Sequence, residues 1–154
     1  MGVVKLLLGR NDIDPNTVDS YGHTPLLRDA KNGHEEVVRI LLRRDDVDPN
    51  KQNNKSQTPL KCAAFNGQEG VVKLLLGRDD VNTDKSNMDG QTPLWSAAYS
   101  GHEGVVKLLP ERDDVNPDMP DDDGQTPYSC AAENDRAGVM ALLQPPASAI
   151  HRTT

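Results

Sequence analysis

Few side chains in this 154-residue sequence have the type and spacing that chemistry requires. His34-Glu35-Glu36-Val37-Val38 and His102-Glu103-Gly104-Val105-Val106 begin like the zinc-protease helix, where two histidines one turn apart grip a metal and a glutamate between them acts as base. Neither stretch has the second histidine, so each reads as a helix start. Residues 118 to 124 are acid-rich like a calcium loop, but Met119 takes the first ligand position and Cys130 the place of the bidentate glutamate. Gly77 to Ser86 ends in Asp84-Lys85-Ser86 without the glycine that a phosphate-binding loop places before its lysine. Cys62 and Cys130 have no histidine at a matching position to make either a nucleophile or a ligand. Nothing assembles a nucleophile, a base and an oxyanion site. The expectation is a protein that is not an enzyme, with no metal and no cofactor.

The elements behind these residues repeat. Gly70-Val71-Val72-Lys73-Leu74-Leu75-Leu76-Gly77-Arg78 also opens the chain as Gly2 to Arg10 and returns in edited form from Glu36, Gly104 and Gly138, a step of 34. Thr24-Pro25-Leu26, Thr58-Pro59-Leu60, Thr92-Pro93-Leu94 and Thr126-Pro127-Tyr128 keep the same step. A fixed period of this size marks a stack of small units, each burying its apolar face on the next. With 35% hydrophobic residues and five aromatics the chain lacks material for one compact core, whereas paired helices filled with Leu, Val and Ala suit it.

Each unit reads as helix, tight turn, helix, long loop. Thr caps the first helix and Pro occupies its first position, where a backbone donor has no partner to lose. Gly33, Gly67 and Gly101 close that helix in the left-handed conformation. Glu35-Glu36, Glu69 and Glu103 open the second helix with acids that suit its positive end. Arg44-Asp45-Asp46-Val47-Asp48-Pro49-Asn50 and its counterparts from Arg78 and Arg112 then form a loop or hairpin finger of about fifteen residues. Neither helix is long enough to persist alone in water, since isolated helices below roughly 12–15 residues are marginal, so packing between units must supply their stability.

The sequence closely resembles the ankyrin repeat. That pattern runs Gly-x-Thr-Pro-Leu-His-x-Ala-Ala, then Gly-His, then Val-Val-x-Leu-Leu-Leu and Val-Asn; here it reads Asp89-Gly90-Gln91-Thr92-Pro93-Leu94-Trp95-Ser96-Ala97-Ala98, Gly101-His102, Val105-Val106-Lys107-Leu108-Leu109 and Val115-Asn116. The near-identical units look most like the long ankyrin arrays of filamentous fungi. The resemblance implies an all-α repeat solenoid with hairpin or loop fingers over 1–143, made of a partial repeat 1–16 and repeats near 17–50, 51–84, 85–118 and 119–143, followed by a flexible tail 144–154. An opening inside a second helix, with Val3, Val4, Leu6, Leu7 and Leu8 lacking a full set of neighbours, is expected of an excerpt from a longer array.

Departures from the pattern carry their own expectations. The motif histidine is replaced by Leu27, Lys61, Trp95 and Ser129, so its hydrogen bonds between neighbouring loops should be missing. Asp29 stands where the first core alanine belongs, and a buried unpaired carboxylate costs several kcal/mol, so that repeat is the weakest unless Asp29 finds a donor. Pro110 should end its second helix early.

The resemblance implies a protein-binding surface made of finger tips and the exposed side of each first helix. Carried onto this sequence, its variable positions are Ser20, Tyr21, His23, Lys31 and Asn32; Asn54, Lys55, Gln57, Phe65 and Asn66; Met88, Asp89, Gln91, Tyr99 and Ser100; and Asp122, Asp123, Gln125, Glu133 and Asn134. Trp95 lies one turn before Tyr99 on the same helix, and with Phe65 makes an aromatic neighbourhood of the kind in which interface energy concentrates. Trp95 has a second reading, as packing between repeats.

Net charge is −7, and residues 86–154 hold 11 acidic against 4 basic side chains while 1–85 hold 13 of each. This balance opposes a nucleic-acid partner, which needs clustered Lys and Arg, and suits a basic protein partner toward the C-terminal half. The two cysteines lie two periods apart, roughly 20 Å at roughly 8–10 Å per stacked helix, too far to pair. Unpaired thiols and the lack of a signal peptide point to an intracellular, cytoplasmic setting; no apolar run could span a membrane. A monomer that binds a protein is the expectation, with a structural spacer as the alternative.

Overall fold

The computed structural model describes residue 10 and residues 12–144. Helices α1 (Pro25–Asn32), α3 (Pro59–Phe65), α5 (Pro93–Ser100) and α7 (Pro127–Glu133) each begin on the Thr-Pro step. The hydroxyls of Thr24, Thr58, Thr92 and Thr126 accept from the amides of Leu27, Lys61, Trp95 and Ser129 at 3.1–3.2 Å. Each cap satisfies one orphan donor, worth about 1 kcal/mol. Gly33, Gly67 and Gly101 follow with φ of 75°, 68° and 78°, turning the chain into the second helix. In the last repeat Asp135 makes this turn at φ 55°.

The second helices are α2 (Glu35–Leu42), α4 (Glu69–Leu76), α6 (Glu103–Leu108) and α8 (Ala137–Leu143). Pro110 cuts α6 short as expected, and Leu109–Glu111 tighten into a 3-10 turn. First helices pack on first helices and second on second in chain order, two layers of a solenoid. Leu26, Leu60 and Leu94 from one layer and Val38, Leu41, Val71, Val72, Leu75, Val105, Val106 and Leu109 from the other are sealed from water between them. Full burial contributes roughly 1.5–3 kcal/mol per such side chain, which is what holds helices of six to eight residues that could not stand alone. Ala63, Ala64, Ala97, Ala98 and Ala131 let neighbouring first helices approach closely, and Val47, Val81 and Val115 anchor the base of each loop.

Asp29 finds its donor: Nδ1 of His34 lies 2.8 Å from its carboxylate, so this repeat does not carry an unpaired charge in its core. The fingers take the loop form, with no strand among the described residues. The opening residues 1–9 and 11, on which the partial-helix expectation rests, and the tail beyond Gln144 lie outside the described residues.

Candidate functional site

Each finger tip is a tight turn built by one side chain. Oδ1 of Asp19, Asn53, Asn87 and Asp121 accepts from the amides two and four residues on, at 2.8–3.1 Å. A short carboxylate or amide folded onto its own backbone is the mechanism by which Asp and Asn make turns. Asp19 shows the electrostatic result: the amides of His23 and Tyr21 and the guanidinium of Arg28 pull its carboxyl down to about 2.

Successive tips are tied together. The amide of Asn54 donates to Tyr21 O at 3.1 Å, and that of Asp122 to Asp89 O at 3.1 Å. The contact is close because the preceding turn carries glycine: a Cβ on Gly22 would stand 2.8 Å from Asn54 N, and one on Gly90 2.7 Å from Asp122 N. The second finger has Ser56 at this place, held at φ 56°. No bond joins Met88 N to Lys55 O. Between the second and third fingers lies a cleft of about 450 Å³ lined by Lys55, Gln57, Lys61, Phe65, Met88 and Asp89, among others. A cleft of about 350 Å³ between the first and second fingers shares Lys55 and Gln57 with it and adds Tyr21, His23 and Lys31.

Of the nominated residues, Tyr21, His23, Lys31, Lys55, Gln57, Phe65, Met88, Asp89 and Gln91 line these two clefts, whereas Asn66, Trp95, Tyr99, Ser100, Asp122, Asp123, Gln125 and Glu133 line neither. Tyr21, Lys31, Lys55, Phe65, Asn66, Met88, Asp89, Tyr99, Asp122, Asp123 and Glu133 are exposed, and His23, Gln57, Gln91, Ser100 and Gln125 are half-buried. Tyr21 is 69% and Met88 67% exposed, large apolar surfaces left to water. The Asn66 amide is spent on its own helix, donating to Cys62 O at 2.8 Å, as Asn134 does to Cys130 O.

Trp95 is only 6% exposed. Its ring stacks on Tyr99 with centroids 5.5 Å apart, and Nε1 donates to Gln125 O of the next finger at 3.0 Å. A bond between repeats is thus made from the motif-histidine position, by a different donor, where none was expected. Trp95 sits beneath Tyr99, with the two rings 10° from parallel. Charge changes along the surface: His23, Lys31, Lys55 and Lys61 lie toward its start and Asp89, Asp122, Asp123 and Glu133 toward its end.

The joints between repeats were not anticipated from sequence. Arg44, Arg78 and Arg112 fork onto Asp46, Asp80 and Asp114 at 2.6–3.0 Å. The free arm of Arg78 reaches Leu42 O and Arg44 O, and that of Arg112 reaches Leu76 O and Arg78 O. Gln68, His102 and Arg136 donate back to Lys31 O, Phe65 O and Tyr99 O. Glu35, Glu69 and Glu103 seat their carboxylates against Gly70, Gly104 and Gly138 in the first turn of the following second helix, where negative charge is favoured. The signal was the recurring Arg-Asp-Asp and the Gly after each Glu, but the acceptors are main-chain atoms a whole repeat away.

One joint is imperfect. Asn16 donates Nδ2 to Asp46 O and accepts from Asp48 N; Asn50 does the same with Asp80 O and Asn82 N. Asp84 occupies the third such position. Its Oδ2 accepts from Asn116 N at 2.8 Å, but Oδ1 is buried with no partner, and burial pushes its carboxyl above the usual range.

Burial drives the Cys62 and Cys130 thiols up to about 11, away from a reactive thiolate. Among the described residues no three His, Cys, Asp or Glu side chains are grouped to hold a metal, and no helix is long and apolar enough to cross a membrane. A family model described as ankyrin repeats (3 copies) matches residues 1–85 and 78–153. No curated protein matches the chain.

Proposed function

The chain belongs to the ankyrin repeat family, and on that premise we propose that it is a recognition module without chemistry of its own, which binds a protein on the surface formed by its finger tips and first helices. The family generally serves protein–protein interaction and is typically non-enzymatic. The observation that carries the reading here is the placement of Tyr21, Phe65, Met88 and Tyr99 on the finger tips and first helices: among the described residues they are four of the seven large apolar side chains left exposed, the others being Ile13, Val18 and Leu142. Surfaces of this kind, aromatic and ringed by polar groups, are where binding energy concentrates. Two buried, unpaired thiols favour a reducing intracellular setting.

The test is capture from a cell lysate with the full chain and with a Phe65→Ala/Tyr99→Ala variant whose circular dichroism matches the native. Both side chains are exposed, so the frame should survive. A protein held by the native chain and lost by the variant is the expected result. The same proteins retained by both, or none by either, would leave a spacer role standing instead.

A further inference from the structure

Three features meet between the second and third fingers. The first is Ser56. Where glycine stands in the first and third fingers, the amide of the next finger bonds the preceding tip; at Ser56, with φ 56°, the corresponding Met88–Lys55 bond is not made, and the cleft is about 450 Å³ against about 350 Å³ beside Gly22. The second is Lys61. It is 3% exposed, lines the cleft, and makes no hydrogen bond or ion pair among the described residues. Its stem is buried while its ammonium, bonded to no protein atom, keeps its solvent contact in the cleft, where an incoming acceptor could meet it. The third is the wall around it: Lys55 beside the mouth, and Phe65 and Met88 as apolar surfaces. Asp89 lines the cleft too; its carboxylate, held by Asn87 Nδ2 at 3.2 Å, acts on Lys61 through space without bonding it, which leaves the cleft with two cations against one anion.

Resting on the reading of this surface as a protein-binding one, we propose that the wider cleft beside Ser56 receives an Asp or Glu side chain of the partner, paired with Lys61 and Lys55, while a neighbouring apolar residue of the same segment lies on Phe65 and Met88. The occupant follows from charge complementarity. Lys61 supplies donors that nothing in the chain accepts, and an acidic side chain carries its own methylenes past Phe65. Desolvation of Lys61, which holds its ammonium below the usual lysine range, is relieved when a carboxylate arrives. Ser56 is then a specificity-determining residue that touches no ligand: glycine there would admit the Met88–Lys55 bond and narrow the cleft.

The test uses the full chain and a library of short random peptides displayed on phage, selected in parallel on the native, Lys61→Gln and Ser56→Gly proteins. The native chain should enrich peptides with Asp or Glu next to an apolar residue, and both variants should not. The best such peptide, made synthetically, should bind Lys61→Gln about tenfold or more weakly, the scale of one charge-assisted hydrogen bond. Its Glu→Gln or Asp→Asn version should lose as much on the native chain. Ser56→Gly relieves a left-handed serine and should melt no lower than native, so its loss of binding reports the cleft rather than the fold. No enrichment, enrichment without an acid, or equal selection by native and Lys61→Gln overturns the proposal. Lysate capture separates this failure from the wider one. Capture abolished by Phe65→Ala/Tyr99→Ala but untouched by Lys61→Gln keeps the module and removes the acid pocket; capture indifferent to both removes each.

Discussion

Replacing Asp84 by Asn should make the array more stable, and the gain should depend on pH. In the two preceding joints an asparagine gives Nδ2–H to a loop carbonyl and takes an amide on Oδ1. Asp84 reproduces only the second bond and buries Oδ1 without a donor. A buried unsatisfied polar atom costs about 1–3 kcal/mol, and a regained bond returns about 1. Because the rest of Asp84 is partly exposed, the lower part of that range applies, about 1–2 kcal/mol. For a chain of this size that is a rise of about 2–8 °C in melting midpoint. The carboxyl is raised by burial above its ordinary 3.8, so the native state holds the proton more tightly than the unfolded one, and stability falls as pH rises through that range. Below it a protonated Asp84 can donate from Oδ1 as the amide does. The difference between Asp84→Asn and native should therefore be small at acid pH and reach its full size at neutral pH. Urea unfolding of both proteins across this range is the assay, with Asn50→Asp as the converse: it should install the same defect and the same pH dependence. No gain at neutral pH, or a gain of equal size at every pH, would refute the assignment of the cost to that unpaired oxygen.

Trp95→Ala should cost about 3–5 kcal/mol in urea unfolding, the scale of emptying a buried aromatic site, and should increase the mobility of Tyr99 as seen by NMR relaxation; a loss below about 1 kcal/mol would mean the indole packs less than its burial implies. Cys62 and Cys130, buried and with thiols near 11, should resist a colorimetric thiol reagent at pH 8 in the folded chain and react once urea unfolds it. Asp19 adds stability that is complete above 3.8 and lost as pH falls toward about 2; in Asp19→Asn that acid-side loss should diminish while the finger turn survives, because Asn53 and Asn87 make the same turn.

Much of the frame was legible because it rests on local chemistry. Thr before Pro, Gly two turns later and Val-Val-x-Leu-Leu each fix a cap, a left-handed turn or a buried stripe within a few residues of themselves. What escaped depends on an atom one repeat away. Leu27, Lys61, Trp95 and Ser129 share a position, yet only Trp95 hydrogen-bonds the next finger with its side chain, its Nε1 donating to Gln125 O. Ser56 and Asp84 are visible as odd members of their columns. Their meaning requires knowing that Asn54 N crowds Gly22 and that Asn50 Nδ2 points at Asp80 O. Among the nominated surface residues, Tyr21, Phe65, Met88 and Tyr99 are exposed as the resemblance implies, whereas Trp95 is covered, since the position it inherits faces the neighbouring repeat as much as solvent.

The donors that cross from one repeat to another end overwhelmingly on carbonyl oxygens: Arg78 on Leu42 and Arg44, Arg112 on Leu76 and Arg78, Gln68 on Lys31, His102 on Phe65, Arg136 on Tyr99, Asn50 on Asp80, Trp95 on Gln125. Every residue type has a carbonyl. A junction of this kind does not need a matching side chain across it, so a unit can be duplicated, excised or shuffled in the gene and still find its mates. The residues whose carbonyls are used, Lys31, Phe65 and Tyr99 among them, remain free to drift in identity, and the surface can acquire new ligands without renegotiating the joints that hold it.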